Sequence, residues 1–393
     1  MRVGTKGAAD PGLRRRRSAA GVARLIVTVA VLVAIASGYH SAMARHRPPS
    51  GAGTRLRTLT APPPAAAATD PAVARAAIAA AGLQRRYAGA YTQTHLWQAA
   101  NALMATMAYM RATGSRGYLP DLSATYQAHH TTDHFLGRYY DDEGWWVLTW
   151  VRAYQLTGDP AYLRQARSIF RAMTRGWTGT CGGGVLWRKH RTYKDAITNE
   201  LFLQDAVLLH ELTPGDTRYA RWAVREWHWF SASGMLTGSH LVVDGLAGCQ
   251  PDLASPVWTY NQGMLIGALV SLAAMTGHAS PLTTAGQVAG AVIGSPALSP
   301  GGILREPCRP RSCGRDEPLF KGIFVASLKL LYDRVGGAPY QSYLRRNAAA
   351  MWAADRRGSA FGVRWAGPFR APGMAAQASA LDLLTTQIPA SGR

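Results

Sequence analysis

Leu156-Thr157-Gly158-Asp159-Pro160-Ala161-Tyr162 closes one helical pattern and opens the next, and Pro214-Gly215-Asp216-Thr217-Arg218-Tyr219 repeats the arrangement. Glycine just past a helix relieves the left-handed turn that ends it, and an aspartate beside it accepts from the free N–H groups of the following helix. In both segments a tyrosine stands four residues after the glycine. The same punctuation recurs at Gly114 with Tyr118, at Thr276-Gly277 and at Gly336 with Tyr340, a period of about 45 to 60 residues, the size of one helix pair. Apolar helical patterns precede these glycines at Trp97 to Arg111, Trp145 to Leu156, Leu201 to Leu212, Leu265 to Met275 and Ile323 to Asp333, while strand alternation is scarce. A segment around Ala375 to Thr386 completes a sixth pair. The pattern predicts an all-α chain, a single (α/α)6 barrel or toroid of helical hairpins, with Gly-rich insertions on one face. An open solenoid is the alternative; irregular spacing and loops rich in Trp, Gly and Cys weigh against it.

The chain has 393 residues, 48% of them hydrophobic, a globular composition with room for a large core. Its front end reads differently. Arg14 to Arg17 and Arg24 precede a short apolar stretch, Leu25 to Ala36, and Ala42-Met43-Ala44 places small residues at a cleavage position. Residues 1–44 are therefore expected to be a secretory signal peptide or, uncleaved, a signal anchor. Residues 45–71, with Pro48-Pro49, Pro62-Pro63-Pro64 and an alanine run, read as a linker, and 72–393 as the catalytic toroid. The expected location is secreted or extracytoplasmic, with membrane association only through an uncleaved N-terminal segment. A closed toroid completes its core within one chain, so a monomer is expected.

The formal charge is +21, and residues 1–60 hold 11 of the 43 Lys and Arg but one of the 22 acids, which leaves 32 basic against 21 acidic residues for the rest. Such an exterior attracts anionic envelope material. Zinc-finger spacing, an RNP-like sequence and a P-loop are all missing, so nucleic acid is not an expected partner. Cys181, Cys249, Cys308 and Cys313 form an even set in a chain read as exported, and disulfides are the expectation. Proximity alone favours Cys308 with Cys313; this reading pairs Cys181 with Cys249, although sequence leaves all three connectivities open. No metal site is expected: the cysteines lack paired CxxC spacing, and His129-His130-Thr131-Thr132-Asp133-His134 has no complementary ligand set elsewhere.

Tyr139-Tyr140-Asp141-Asp142-Glu143-Gly144-Trp145-Trp146 carries the chemistry. Glycoside hydrolysis needs one carboxyl held protonated and a second kept ionised, and aromatic faces suit the apolar faces of pyranose rings. Acids are also common in a helix's first turn for purely structural reasons. Composition does not say which two of the three acids face a cleft; Glu143 is read as the helix-terminal one. Trp145 and Trp146 are expected to divide between sugar platform and core, with at least one buried.

Beyond this stretch come Gly176-Trp177, Thr180-Cys181-Gly182-Gly183-Gly184-Val185-Leu186-Trp187, Tyr193-Lys194-Asp195-Ala196-Ile197-Thr198-Asn199-Glu200-Leu201 and Thr259-Tyr260-Asn261-Gln262-Gly263. Gly301-Gly302-Ile303-Leu304-Arg305-Glu306, Phe320-Lys321-Gly322-Ile323-Phe324 and Phe361-Gly362-Val363-Arg364-Trp365-Ala366-Gly367-Pro368-Phe369 follow. Together, in this order from Trp97 to Leu384, they resemble glycoside hydrolase family 76, the endo-α-1,6-mannanases. The resemblance implies an (α/α)6 barrel and a retaining mechanism on α-1,6-linked mannose chains, without metal or organic cofactor. By position Asp141 would be the nucleophile and Asp142 the acid that protonates the departing oxygen and later activates water. Retaining carboxyls stand roughly 5 to 5.5 Å apart, a separation adjacent residues reach when both side chains converge on one cleft. Trp187, Tyr260 and Trp365 are candidates to line subsites, with Trp145. Asn199 and Asn261 are candidates to bond mannose hydroxyls, and Lys321 to contact substrate or balance the acidic pair; capping, a buried polar network and an ordinary ion pair are their structural alternatives. A cell-wall transglycosidase of the same fold and a non-catalytic glycan-binding envelope protein are the competing functions.

Overall fold

A computed structural model of the chain describes residues 70–88, 97–308 and 314–389. The expected signal segment, and the expected linker up to residue 69, lie outside these residues. Among the described residues run twelve α-helices: α1 (Pro71–Tyr87), α2 (Trp97–Thr113), α3 (Leu119–His129), α4 (Tyr140–Thr157), α5 (Pro160–Met173), α6 (Ala196–Leu212), α7 (Thr217–Ala232), α8 (Thr259–Thr276), α9 (Ser280–Gly294), α10 (Glu317–Val335), α11 (Ala338–Ala354) and α12 (Met374–Thr385).

The even-numbered helices form a ring. Each of α2, α4, α6, α8, α10 and α12 packs on the next, and α12 returns to α2. The odd-numbered helices lie outside it, with α5 against α4, α7 against α6, α9 against α8, α11 against α10 and α12, and α1 against α12. Outer α3 meets α4 through Tyr126, whose ring stands edge-on to Trp150 at 5.3–5.4 Å from Trp150 and Tyr162. Burial follows from the layers. Inner α6 hides every residue from Ala196 to Leu209, Asn199, Glu200 and Asp205 included, whereas outer α5 buries Tyr162, Ala166, Ile169, Phe170 and Met173 along a single stripe.

The hairpin punctuation takes the form expected. Gly158 ends α4 in the left-handed region (φ 77°), and Asp159 and Asp216 accept from the Ala161 and Arg218 amides at the starts of α5 and α7 (2.8 and 3.1 Å). Four inner helices begin earlier than the apolar pattern indicates: α4 at Tyr140, α6 at Ala196, α8 at Thr259 and α10 at Glu317. Their first turns are polar or glycine-rich because they face a cavity, which erases the periodicity there.

Glycine also sets how closely the inner helices approach. A Cβ on Gly263 of α8 would stand 2.6 Å from the Phe324 Cα on α10, and one on Gly322 of α10 would stand 2.6 Å from the Ser379 Cα on α12. Short strands brace the loops at the same end: β1 (Lys194–Asp195) pairs antiparallel with β2 (Gly245–Ala247), and β2 with β3 (Gln250–Pro251). Cys181 is bonded to Cys249, Cα atoms 5.1 Å apart, which ties the Gly-rich loop after α5 to the β2–β3 turn. Cys308 is also disulfide-bonded; its expected partner Cys313 lies outside the described residues.

Candidate active site

Five inner helices send first-turn or capping residues into one cavity of about 460 Å³: Trp97 from α2, Asp141 and Trp145 from α4, Asp195 before α6, Tyr260 from α8, and Asp316 and Phe320 from α10. Loop residues Trp187, Tyr193, Asp244, Asp252 and Ser255 complete the wall. Converging helix N-termini favour negative charge, and carboxylates collect there. One wall is an aromatic arc. Trp145 and Trp97 stack at 5.8 Å, Trp97 and Phe320 at 5.9 Å, and Phe320 and Tyr260 at 3.9 Å.

Asp141 accepts from the Trp187 indole N–H at 3.2 Å through Oδ2, while its buried Oδ1 has no partner among the described residues. Burial raises its proton affinity, and the Trp187 bond and backbone amides pull it back down. Asp142 follows it in the first turn of α4. Burial raises its proton affinity too, but there the nearby charges of Asp141, Asp316 and Glu143 raise it further and nothing offsets them. Of the two, Asp142 is the carboxyl built to keep its proton. Asp316 receives the Gln98 amide and a Trp97 hydrogen bond, so it is fixed as a third carboxylate beside the pair.

Glu143 points elsewhere. It is fully buried and binds Lys189 Nζ at 2.5 Å and the Gly137 amide at 3.2 Å, pinning the Arg188–Lys189 loop against α4. Trp146 is core, and Trp145, although 2% exposed, lines the cavity. Trp187 and Tyr260 line it as well, so three of the four aromatic candidates meet there. Trp365 does not: it is 1% exposed, and Lys321 Nζ stands 5.3 Å from its ring.

The polar candidates are placed otherwise than a subsite role requires. Asn199 accepts from the Val185 amide (2.7 Å) and donates to the Val185 and Asp195 carbonyls (3.0 and 2.7 Å), which uses both amide hydrogens inside the protein. Asn261 is buried and donates to Asp244 Oδ1 at 3.2 Å, so it positions a cavity carboxylate instead of reaching the cavity. Lys321 donates to the Val363 carbonyl at 3.1 Å and balances Glu306 and Asp355, not the Asp141–Asp142 pair.

Asn199 is one of four buried amides that grip a loop strand with both ends of the side chain. Gln262 on α8 accepts from the Val242 amide and donates to its carbonyl (both 2.8 Å). Asn347 on α11 holds the Leu304 amide (2.8 Å) and the Gly302 carbonyl (3.2 Å), and Gln377 on α12 the Phe361 amide (3.2 Å) and the Ser359 carbonyl (3.0 Å). In extended backbone, residues two apart share a face. Two residues past Val185 stands Trp187, and two past Val242 stands Asp244, so two of the staples set cavity side chains from one turn inside a helix. Buried Lys194 adds a further anchor by donating to the Gly183 and Gly184 carbonyls (2.5 Å each).

Asp195, Asp244, Asp252 and Asp316 were not singled out by the sequence. Asp195 and Asp316 sit at helix starts, as ordinary caps do; their signal is that each precedes an inner helix of the ring that carries Asp141. The histidine cluster serves local turns, with His130 and His134 bonded through Nδ1 to the Tyr126 and His130 carbonyls (3.1 and 2.6 Å). Among the described residues no group of three or more His, Cys, Asp or Glu is placed to hold a metal ion.

Five carboxylates and six aromatic rings around one cavity, at the N-terminal ends of a closed helical ring, define a carbohydrate-active toroid. The family model of glycosyl hydrolase family 76 matches residues 73–391, and the chain belongs to that family. Mannan endo-1,6-alpha-mannosidase DCW1 of Saccharomyces cerevisiae is 27% identical over 233 residues, 54% of this chain and 51% of that protein, so the chain spans about half the length of this curated relative. The GH76A α-1,6-mannanase of Salegentibacter sp. HEL1_6 superposes with a TM-score of 0.73 at 22% identity, over 80% of this chain and 98% of that one. An inactive variant of that enzyme, two consecutive aspartates replaced by alanine, in complex with α-1,6-mannotetrose gives 0.74 at 21% identity, over 81% and 99%. These structures share the (α/α)6 toroid.

Proposed function

We propose that the chain is an exported, retaining glycoside hydrolase that cleaves α-1,6-mannosidic linkages in a mannan-type polysaccharide or envelope glycan. The observation that carries this is the contrast between two adjacent carboxyls: Asp141, in the cavity and bonded to Trp187, and Asp142, beside it with only repulsive neighbours. Asp141 attacks the anomeric carbon as the glycosidic C–O bond breaks, and the Asp142 proton goes to the departing oxygen. Water then gives a proton to Asp142 and displaces Asp141 from the anomeric carbon. The aromatic arc supplies faces for pyranose rings, and Asp195, Asp244 and Asp252 accept from hydroxyls. Export is supported by the Cys181–Cys249 bond, since disulfides persist in oxidising compartments.

The test is incubation with debranched α-1,6-mannan, products followed by chromatography, with Asp141→Asn alongside. Short mannose oligomers from the parent, and none from the variant, are expected. Products longer than the substrate would show a sugar hydroxyl replacing water, and no product from either protein would end the mannanase reading. Folding is checked by melting. A carboxyl whose proton affinity is raised by folding contributes stability that is fully present below its unfolded pKa and is lost as pH rises through its folded value. Asp141 is pushed up to about 7 in the folded chain, so Asp141→Asn melts with the parent below about pH 4 and higher than it from neutral pH upward.

Asp316→Asn removes one of the charges that hold the proton on Asp142. The group required in its protonated form then loses its proton at lower pH, so the alkaline limb of the kcat profile shifts down by about half a unit to one unit. An unchanged alkaline limb would remove Asp316 from the tuning of this pair.

A further inference from the structure

The outer wall of the ring is charged very unevenly. Helix α9 carries no ionisable residue, whereas α5 carries Arg164, Arg167 and Arg171, with Arg175 just beyond it, and no acid. Helix α7 carries Arg218, Arg221 and Arg225, and its one acid, Glu226, is fully buried. The two helices lie side by side: Arg167 Nε donates to the Tyr219 hydroxyl at 3.3 Å, and the Phe170 and Tyr219 rings are 5.5 Å apart. At spacings of three and four residues the arginines on each helix share one outward stripe. Arg164, Arg171, Arg175, Arg218, Arg221 and Arg225 are exposed, and Arg218 is paired with Asp216 at 2.7 Å.

The stripe is also partly apolar. Val224 is 55% exposed between Arg221 and Arg225, on the outward face of α7 that Thr217, Ala220 and His228 complete. The Arg225 guanidinium stands over Trp177 and Trp222, its Cζ 4.3 and 5.2 Å from their ring centroids. Planar guanidiniums match phosphate oxygens bidentately, and exposed apolar side chains among them suit the region between headgroups and acyl chains.

We propose that the α5–α7 face docks on an anionic phospholipid bilayer, its arginines on the phosphates and Val224 at the acyl boundary. The dock adjoins the cavity. Trp229, on the buried side of α7, donates to the Cys181 carbonyl at 2.9 Å, and Cys181 is bonded to Cys249 beside Asp252 at the cavity wall. A soluble polyanion is the competing occupant; exposed Val224 among the arginines favours the bilayer.

The experiment is co-sedimentation of the full chain with phosphatidylcholine vesicles containing one-third phosphatidylglycerol, and with phosphatidylcholine alone. The Arg164→Glu, Arg171→Glu, Arg221→Glu triple variant leaves the Arg225 stack intact. An equal charge change elsewhere, Arg85→Glu, Arg334→Glu, Arg345→Glu, is the control. A basic residue near an anionic surface strengthens binding about fivefold, so the first variant, which reverses three such charges, should bind anionic vesicles at least about a hundredfold more weakly. The control should bind as the parent does within about threefold, and both variants should melt with the parent. Equal loss in both variants would reduce the effect to net charge and overturn the proposal, as would equal binding by all three proteins. If soluble polyphosphate at matched phosphate concentration displaces the parent from vesicles completely, the face is a polyanion site and the bilayer proposal fails.

Discussion

Alanine at Asp142 is expected to slow hydrolysis of unactivated α-1,6-mannan by about a thousandfold, within the range general acid–base catalysis contributes. An aryl α-mannoside, whose leaving group needs little protonation, should still form the covalent intermediate, leaving the second step slow. Azide needs no general base, so it should restore turnover of Asp142→Ala and give a mannosyl azide of retained configuration. On Asp141→Ala, azide enters the space the nucleophile occupied, and the opposite anomer is expected. Anomeric assignment of the two azides by NMR reads the roles directly. If azide leaves Asp142→Ala unchanged on the aryl substrate, the division of labour between these carboxyls is wrong.

The second large effect is structural. Gly263→Ala places a methyl where the Phe324 backbone already stands, so α8 and α10 must separate. Overpacking of this kind costs about 2 kcal/mol. Activity should fall with it, because Tyr260 on α8 stacks at 3.9 Å on Phe320 of α10 within the cavity wall. Gly290→Ala on α9 is the counterpart: open space surrounds it, and alanine in a helix stabilises by about 0.5 to 1 kcal/mol. Thermal melts should move in opposite directions. A similar rise in both would mean that helix propensity, not inner-ring spacing, governs the response.

The bodies of the inner helices were the legible part of the fold, each of the six apolar patterns falling on one of them, and turn residues such as Gly158-Asp159 marked where the outer helices start. Inner helices are buried all round or face the cavity, and their beginnings lost the pattern: Ala196-Ile197-Thr198-Asn199-Glu200 carries no periodicity, yet every one of these side chains is buried. The site divides along similar lines. Adjacent Asp141 and Asp142 beside tryptophans form a local signature, as Trp187 does within its loop motif. Asp244 and Asp316 reach the cavity only through the ring's closure, which single residues do not announce. Asn199, Asn261 and Lys321 mislead for a physical reason: a buried amide that pins backbone and one that binds sugar are the same residue type, and only the location of its partner separates them.

Gln377 on α12 donates to the Ala79 carbonyl on α1 at 3.0 Å, a bond between residues 298 apart in sequence. Every other junction of the inner ring joins helices separated by one outer helix, so those hairpins can collapse locally as they emerge. The seam where α12 meets α1 and α2 bears the whole loop-closure entropy of the toroid and has to wait for the last helix. Until it forms, the molecule is a linear stack with Trp97 detached from the arc it completes. The late event in folding is therefore also the one that assembles the aromatic wall, and acquisition of tertiary structure and of sugar binding should be a single kinetic step.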